Sequence, residues 1–263
     1  MSQRMRFYAM IILVVLLVTV IAVWHIHTPV AHGKVTLTIF CAAALKPVIE
    51  HVAKRYEAAH NIRLETQYGA SGLLLSNIKF VRRGGDIYLP ADASYIESAK
   101  RDGLIMQAMP LASMTPVLVT CKSKSKRITS LPQLCSDTHA TLACADPEIA
   151  SIGKITRAAL LRSGEWKQIE PHITVTLPTV TDVANAVKIG SVDYGIVWDA
   201  VARQYPEMSM IHLPSLDQAR QRVSIGVLTT SPHPEHAKAF AQFLASPEGQ
   251  SILRKLGYET AVQ

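Results

Sequence analysis

From Val35 onward, short apolar, β-branched segments alternate with segments whose apolar residues recur every three or four positions, and this constrains the fold more than any other feature. Val35 to Ala42 reads as a strand. Pro47 opens a helix with Val48, Val52 and Tyr56 on one stripe, closed by Asn61, and Ile62 to Tyr68 alternates as a second strand. Gly69-Ala70-Ser71-Gly72 leads into a helix carrying Leu74, Leu75, Ile78 and Val81, stopped by Gly84-Gly85, before a buried strand from Asp86 to Leu89. A β-α-β-α-β order predicts a parallel sheet with crossover helices. The second half repeats the pattern. Strands are expected over 116–121, 141–145, 173–177 and 194–198, with helices over 131–135, over 152–162, and from a Thr181 cap to Gly190. A late strand, Val223 to Thr229, precedes two helices that start after Ser231-Pro232 and Ser246-Pro247. Two α/β lobes follow, with the chain returning to the first at its end.

Ahead of this body, Phe7 to Trp24 runs 18 residues without a charge, preceded by Arg4 and Arg6. As a helix it would rise about 27 Å, near the thickness of a thin bilayer core. No clean small-x-small cleavage site follows, so residues 1–34 read either as a cleaved signal peptide or as a signal-anchor and linker; each exports the body. The net charge is +7, but after residue 34 only 24 basic side chains face 20 acidic ones. That balance is too mild for a nucleic-acid partner. With 49% hydrophobic and 18% charged residues, the chain is neither disordered nor a coiled coil. Lys122-Ser123-Lys124-Ser125-Lys126-Arg127 reads as a solvated loop or a docking patch. Of four cysteines, Cys41 and Cys144 sit in apolar strands, which leaves Cys121 and Cys135 as the expected disulfide.

Enzyme motifs are largely missing. Leu73 breaks G-x-S-x-G after Gly69-Ala70-Ser71-Gly72. Gly153-Lys154 ends like a P-loop, yet Glu148 stands at the first glycine and Ile155 at the Ser/Thr position. His233-Pro234-Glu235-His236 reads as a helix cap rather than a metal site. No catalytic residue, direct metal ligand or cofactor is expected. What recurs instead is a strand running into a helix start built of small residues, at Cys41-Ala42-Ala43-Ala44, Gly69-Ala70-Ser71-Gly72, Ala150-Ser151-Ile152-Gly153 and Thr181-Asp182-Val183. Unpaired N–H groups and a positive dipole end at each would hold an oxyanion by neutral donors if the lobes face each other.

These motifs, with Phe40-Cys41-Ala42-Ala43-Ala44-Leu45, Gly85-Asp86-Ile87-Tyr88-Leu89-Pro90-Ala91-Asp92, Asp146-Pro147-Glu148 and Gly195-Ile196-Val197-Trp198, give residues 35–263 a specific resemblance. The body resembles the periplasmic molybdate/tungstate-binding proteins of ABC importers, within the type 2 periplasmic-binding-protein family. The resemblance implies a two-lobed fold with the ligand cleft between lobes. Lobe 1 would span 35–113, completed by 229–263, and lobe 2 would span 114–228, with hinges near 113–116 and 226–230. It also implies a monomeric periplasmic receptor for molybdate or tungstate that serves an ABC permease, attached to the inner membrane through 7–24 if uncleaved. Carried over by motif, Ala44, Ser71, Ile152, Val183 and Trp198 would bind the anion, Ser71 by its hydroxyl and Ile152 and Val183 by backbone N–H. Ala44 replaces a family serine and offers only its N–H; Trp198 replaces a tyrosine. On the residues alone, Ser71 also fits a plain helix N-cap and Trp198 a core aromatic. A receptor for another anion, or a membrane-anchored sensory module, shares the same pattern.

Fractionation of expressing cells should leave part of the protein with the membrane through residues 7–24. A wholly soluble mature form whose N-terminal sequence begins near residue 32 would overturn that expectation.

Overall fold

The computed structural model describes residue 16, residues 34–80, 85–123, 128 and 130–260. Apart from Leu16, the apolar segment 7–24 lies outside the described residues, as do Val81, Gly84 and Lys124–Arg127 of the stretches singled out above. Among the described residues no helix is long and apolar enough to cross a membrane. Val35–Gln263 forms a compact unit by itself.

That unit contains two five-stranded sheets. The first has the order β2-β1-β3-β10-β4, from strands β1 (Val35–Ala42), β2 (Ile62–Gly69), β3 (Ile87–Leu89), β4 (Ile105–Met114) and β10 (Gln221–Leu228). The second has the order β7-β6-β8-β5-β9, from β5 (Pro116–Cys121), β6 (Leu142–Ala145), β7 (Ile173–Leu177), β8 (Tyr194–Trp198) and β9 (Met208–Ile211). The sheets are mixed rather than wholly parallel. β1 pairs in parallel with β2 and β3, and β6 with β7 and β8, because helices connect them. The antiparallel strands are those at the passage between sheets. β4 leads out of the first sheet through Thr115 and β10 leads back in, so the two run in opposite directions and pair antiparallel. The return therefore lies over residues 212–220 rather than at 226–230, and Gln221–Leu228 belongs to the first sheet.

Each face of the first sheet is covered. Along β1, Ile39 and Cys41 point into the main core while Phe40 points the other way, the two-residue period of a strand buried on both sides. Phe40 and Tyr88 pack with Leu74, Leu75 and Ile78 of helix Ser71–Phe80 and with Ile96 of helix Ala93–Arg101. On the opposite face lie Val48, Ile49 and Val52 of helix Lys46–His60 and Phe240 of helix Pro234–Ala245. Asn61 ends the first of these helices in the left-handed conformation, as its position suggested. Helix Ala93–Arg101 and strand β4 fall in a stretch without a clear sequence pattern; Asp92 caps that helix by accepting from Ser94 N at 2.8 Å.

Two local expectations are corrected. Helix Val180–Lys188 is capped by Thr179, not Thr181. Thr179 and Asp182 form a reciprocal capping box, Asp182 N donating to Thr179 Oγ1 at 3.2 Å and Thr179 N to Asp182 Oδ2 at 3.1 Å. The Cys121–Cys135 disulfide is not formed: Cys135 Sγ donates to the Gln168 carbonyl at 3.5 Å, and Cys121 Sγ lies 3.1 Å from Ser123 Oγ. The sulfurs are turned to different neighbours. Cys41 and Cys144 are buried, and burial pushes the Cys144 thiol up to about 12 and raises Cys41 as well.

Two outcomes follow from these corrections. Thr179→Ala should lower stability by about 1 kcal/mol, whereas Thr181→Ala should stay within about 0.5 kcal/mol, read by urea unfolding; the reverse order would place the cap at Thr181. Native alkylation near neutral pH should modify Cys121 and Cys135 and spare Cys41 and Cys144, read by peptide mass; recovery of a Cys121–Cys135 cross-linked peptide would contradict it.

Candidate functional site

The C-terminal ends of the parallel strands converge on one cleft between the two sheets, the position where open α/β folds bind ligands. In this closed arrangement the free space left in it is about 20 Å³, little more than the roughly 10–15 Å³ that admits one water. From the first lobe come Ala42 at the end of β1 with Ala43 and Ala44 after it, Gly69 at the end of β2 with Ala70 and Ser71 after it, and Ala91 after β3. From the second come Ala150, Ser151 and Ile152 after β6, Thr179 and Val180 after β7, and Trp198 at the end of β8. No charged side chain is among these lining residues.

Each helix start contributes in a distinct way. Ala43–Leu45 form a single 3-10 turn that opens without a side-chain cap, so the Ala43 and Ala44 N–H groups have no partner within the turn. The Ala44 carbonyl accepts from the buried Tyr258 hydroxyl, which ties this turn to the C-terminal segment. Ser71 opens helix Ser71–Phe80 and is buried; its Oγ accepts from Ala91 N at 3.1 Å, and its carbonyl accepts from Tyr88 Oη at 2.7 Å. Burial raises the Tyr88 hydroxyl, keeping it a donor. Helix Ser151–Arg162 also starts without a side-chain cap, leaving the Ser151 and Ile152 N–H groups to the cleft. Gly153 behind them is required by close packing: a Cβ there would stand 2.2 Å from the Ala145 carbonyl oxygen.

Four of the five residues expected from the sequence, Ala44, Ser71, Ile152 and Trp198, thus line one cleft. Val183 does not. It lies a turn deeper in its helix, its N–H donates to Thr179 O at 3.2 Å, and its side chain packs against Gly195. With the cap at Thr179, the N–H groups left without an intrahelical partner move back to Val180 and Thr181. The Thr-x-x-Asp spacing of a capping box was the sequence signal for this register.

The sequence pattern marks Ser151 only for its place in a helix start, yet its hydroxyl is central. Ser151 Oγ lies 3.1 Å from Ser71 Oγ and 2.8 Å from Oδ2 of the wholly buried Asp92. The lobes also touch through backbone, Gly72 N donating to Ile149 O at 2.8 Å. A Cβ on Gly72 would approach that same oxygen to 2.8 Å, so glycine permits the contact. The cleft is closed by direct lobe-to-lobe bonds. Among the described residues no group of three His, Cys, Asp or Glu side chains is placed to hold a metal ion.

This fold and its uncharged, donor-lined cleft define a two-lobed binding protein, and comparison with known proteins agrees. The chain is similar in structure to the Azotobacter vinelandii periplasmic molybdate-binding protein, with a TM-score of 0.74 and 17% identity over 86% of this chain and 100% of that one. In sequence it is 28% identical over 229 residues to the putative ABC transporter substrate-binding lipoprotein YvgL of Bacillus subtilis, covering 86% of each. It is 22% identical over 229 residues to the molybdate-binding protein ModA of Mycobacterium tuberculosis, covering 86% of this chain and 85% of that one. Residues 37–259 match the bacterial extracellular solute-binding protein family, and the chain belongs to it. It is a binder, not an enzyme.

Proposed function

We propose that the protein captures a tetrahedral oxyanion, molybdate or tungstate, outside the cytoplasm and delivers it to an ABC permease. The observation that carries this reading is the lining of the cleft. Helix-start N–H groups and the hydroxyls of Ser71 and Ser151 converge there while charged side chains stay outside it. A dianion is stabilised in such a place by oriented dipoles and charge-assisted hydrogen bonds, without a neutralising cation. In this reading Ala44, Ser71, Ile152 and Val180, all lining the cleft, hold the anion, and Trp198, which lines it too, would add its indole N–H as a further donor. Relatives named for molybdate binding support the choice of anion. Receptor and permease would work as a monomer and its partner, with residues 7–24 keeping the receptor at the inner membrane if they are uncleaved.

Selection then rests on size and on protonation. Donors alone favour a fully deprotonated anion over hydrogen phosphate, which brings a proton of its own. A thermal-shift screen with molybdate, tungstate, sulfate and phosphate tests this. At a hundredfold excess over Kd, molybdate or tungstate should add about 2.7 kcal/mol, or roughly 5–10 °C in midpoint at about 2–4 °C per kcal/mol. Ser71→Ala should weaken binding by about 1.5–3 kcal/mol, as a lost hydrogen bond to a charged group. Ala44→Ser should strengthen it by restoring a hydroxyl. Stabilisation by another anion alone, with none from molybdate or tungstate at millimolar concentration, would overturn the substrate assignment.

A further inference from the structure

Lys154 is out of place as a helix residue. It sits in the first turn of helix Ser151–Arg162, where a cation faces the positive end of the dipole, beside a cleft that already concentrates unpaired N–H groups. What its side chain meets across the cleft explains the position. Nζ donates to Ser94 Oγ at 2.6 Å, stands 3.5 Å from Asp92 Oδ2 and lies 4.0 Å above the centre of the Tyr95 ring. Asp92, Ser94 and Tyr95 surround the start of helix Ala93–Arg101 in the other lobe. Asp92 is wholly buried, and its two oxygens are divided: Oδ1 accepts from Ser94 N at 2.8 Å, and Oδ2 accepts from Ser151 Oγ at 2.8 Å. An ion pair, a hydrogen bond and a cation–π contact therefore cross the mouth of the cleft at one point.

We propose that Lys154 and Asp92 form a latch that holds the lobes closed before any anion arrives, and that they act as positioning residues for the binding site. The link to the site is Ser151. Its hydroxyl is placed to donate to Asp92 Oδ2 at 2.8 Å and to Ser71 Oγ at 3.1 Å, and the shorter bond to the carboxylate is the stronger of the two. The latch thereby fixes both cleft hydroxyls from the side away from the ligand. Ligand binding is tighter when the competent, closed state is already populated, because apparent Kd scales inversely with that fraction.

Only the affinity arm of the test rests on reading the cleft as an oxyanion site. Spin labels at exposed Met106 and Ile189, one in each lobe, in full-length chain with Cys121 and Cys135 changed to Ser, report the interlobe distance by pulsed electron resonance. Without anion, Lys154→Met should shift the distance distribution from the parent's toward an open form, whereas Lys154→Arg, which keeps the charge and the ring contact, should retain it. Ser94→Ala, which removes only the 2.6 Å hydrogen bond, should shift it part of the way and serves if Lys154→Met does not fold. In molybdate titrations, a closed fraction falling from about half to about one-tenth weakens Kd about fivefold. Distance distributions identical in parent, Lys154→Met and Ser94→Ala would overturn the latch. Failure of the parent to bind molybdate would count against the oxyanion reading and leave the distance comparison to decide the latch.

Discussion

An α-helix cannot pair its own first N–H groups, and this protein places several such starts at one point. The parallel strands of both sheets end there, so each following helix begins at the cleft. A buried polar group without a partner is costly, on the order of 1–3 kcal/mol each. The fold meets that cost differently at different starts. Thr179 and Asp182 cap their helix internally, and Gly72 N finds the Ile149 carbonyl across the lobes. At Ala43–Leu45 and at Ser151 no side-chain cap is supplied. Those uncapped starts favour an acceptor in the cleft, and the small residues around them keep bulky side chains away from the N–H groups.

The passage between sheets keeps that arrangement in register. Trp198 ends β8 at the cleft, and the next residue, Asp199, is buried against the crossover. Thr115 N donates to Asp199 Oδ1 at 3.0 Å, Asp199 N donates to Thr115 O at 2.9 Å, and Arg203 Nη1 reaches Asp199 Oδ2 at 2.8 Å. The same Arg203 donates to Gly257 O at 2.7 Å, which binds the C-terminal segment to the second lobe. Glu259 pairs with Ser113 as an isolated bridge just before the crossover. The point where the lobes meet in sequence is thus fixed by a charged residue one position from the cleft wall.

Much of this was legible in the sequence, for identifiable reasons. β1 and the helix after it were visible because Val48, Val52 and Tyr56 follow the helical period and Asn61 supplies a left-handed stop. Helix Ala93–Arg101 and strand β4 were not, since Met106, Gln107 and Pro110 interrupt any clean alternation and the strand's pairing with β10 is set by a residue more than 100 positions away. The small residues at strand ends were legible in the sequence, and four of the residues named there line one cleft. Val183 was misplaced because two threonines compete as caps, and the choice depends on which one Asp182 can reach. Ser151 and Lys154 were invisible as a unit because their partner, Asp92, lies 59 positions away from Ser151 in the chain.

The distribution of charge is the feature that ties stability to selectivity. Asp92 and Asp199 are buried beside the cleft, yet each is turned away from it, the first toward Ser94, Ser151 and Lys154 and the second toward Thr115, Ala200 and Arg203. A carboxylate facing the cavity would repel an anion; one facing a serine hydroxyl instead orients it. Polar wall atoms that would otherwise be ambiguous, since a hydroxyl both donates and accepts, become assigned by the acid behind them. Ser151 is oriented by Asp92, and Ser71 Oγ accepts from Ala91 N and lies within reach of Ser151 Oγ, so its own proton remains available to an acceptor in the cleft. An anion that takes it gains a charge-assisted hydrogen bond, roughly twice as strong as a neutral one. The charged residues thus shape the site from outside it, leaving its interior to dipoles and hydroxyls.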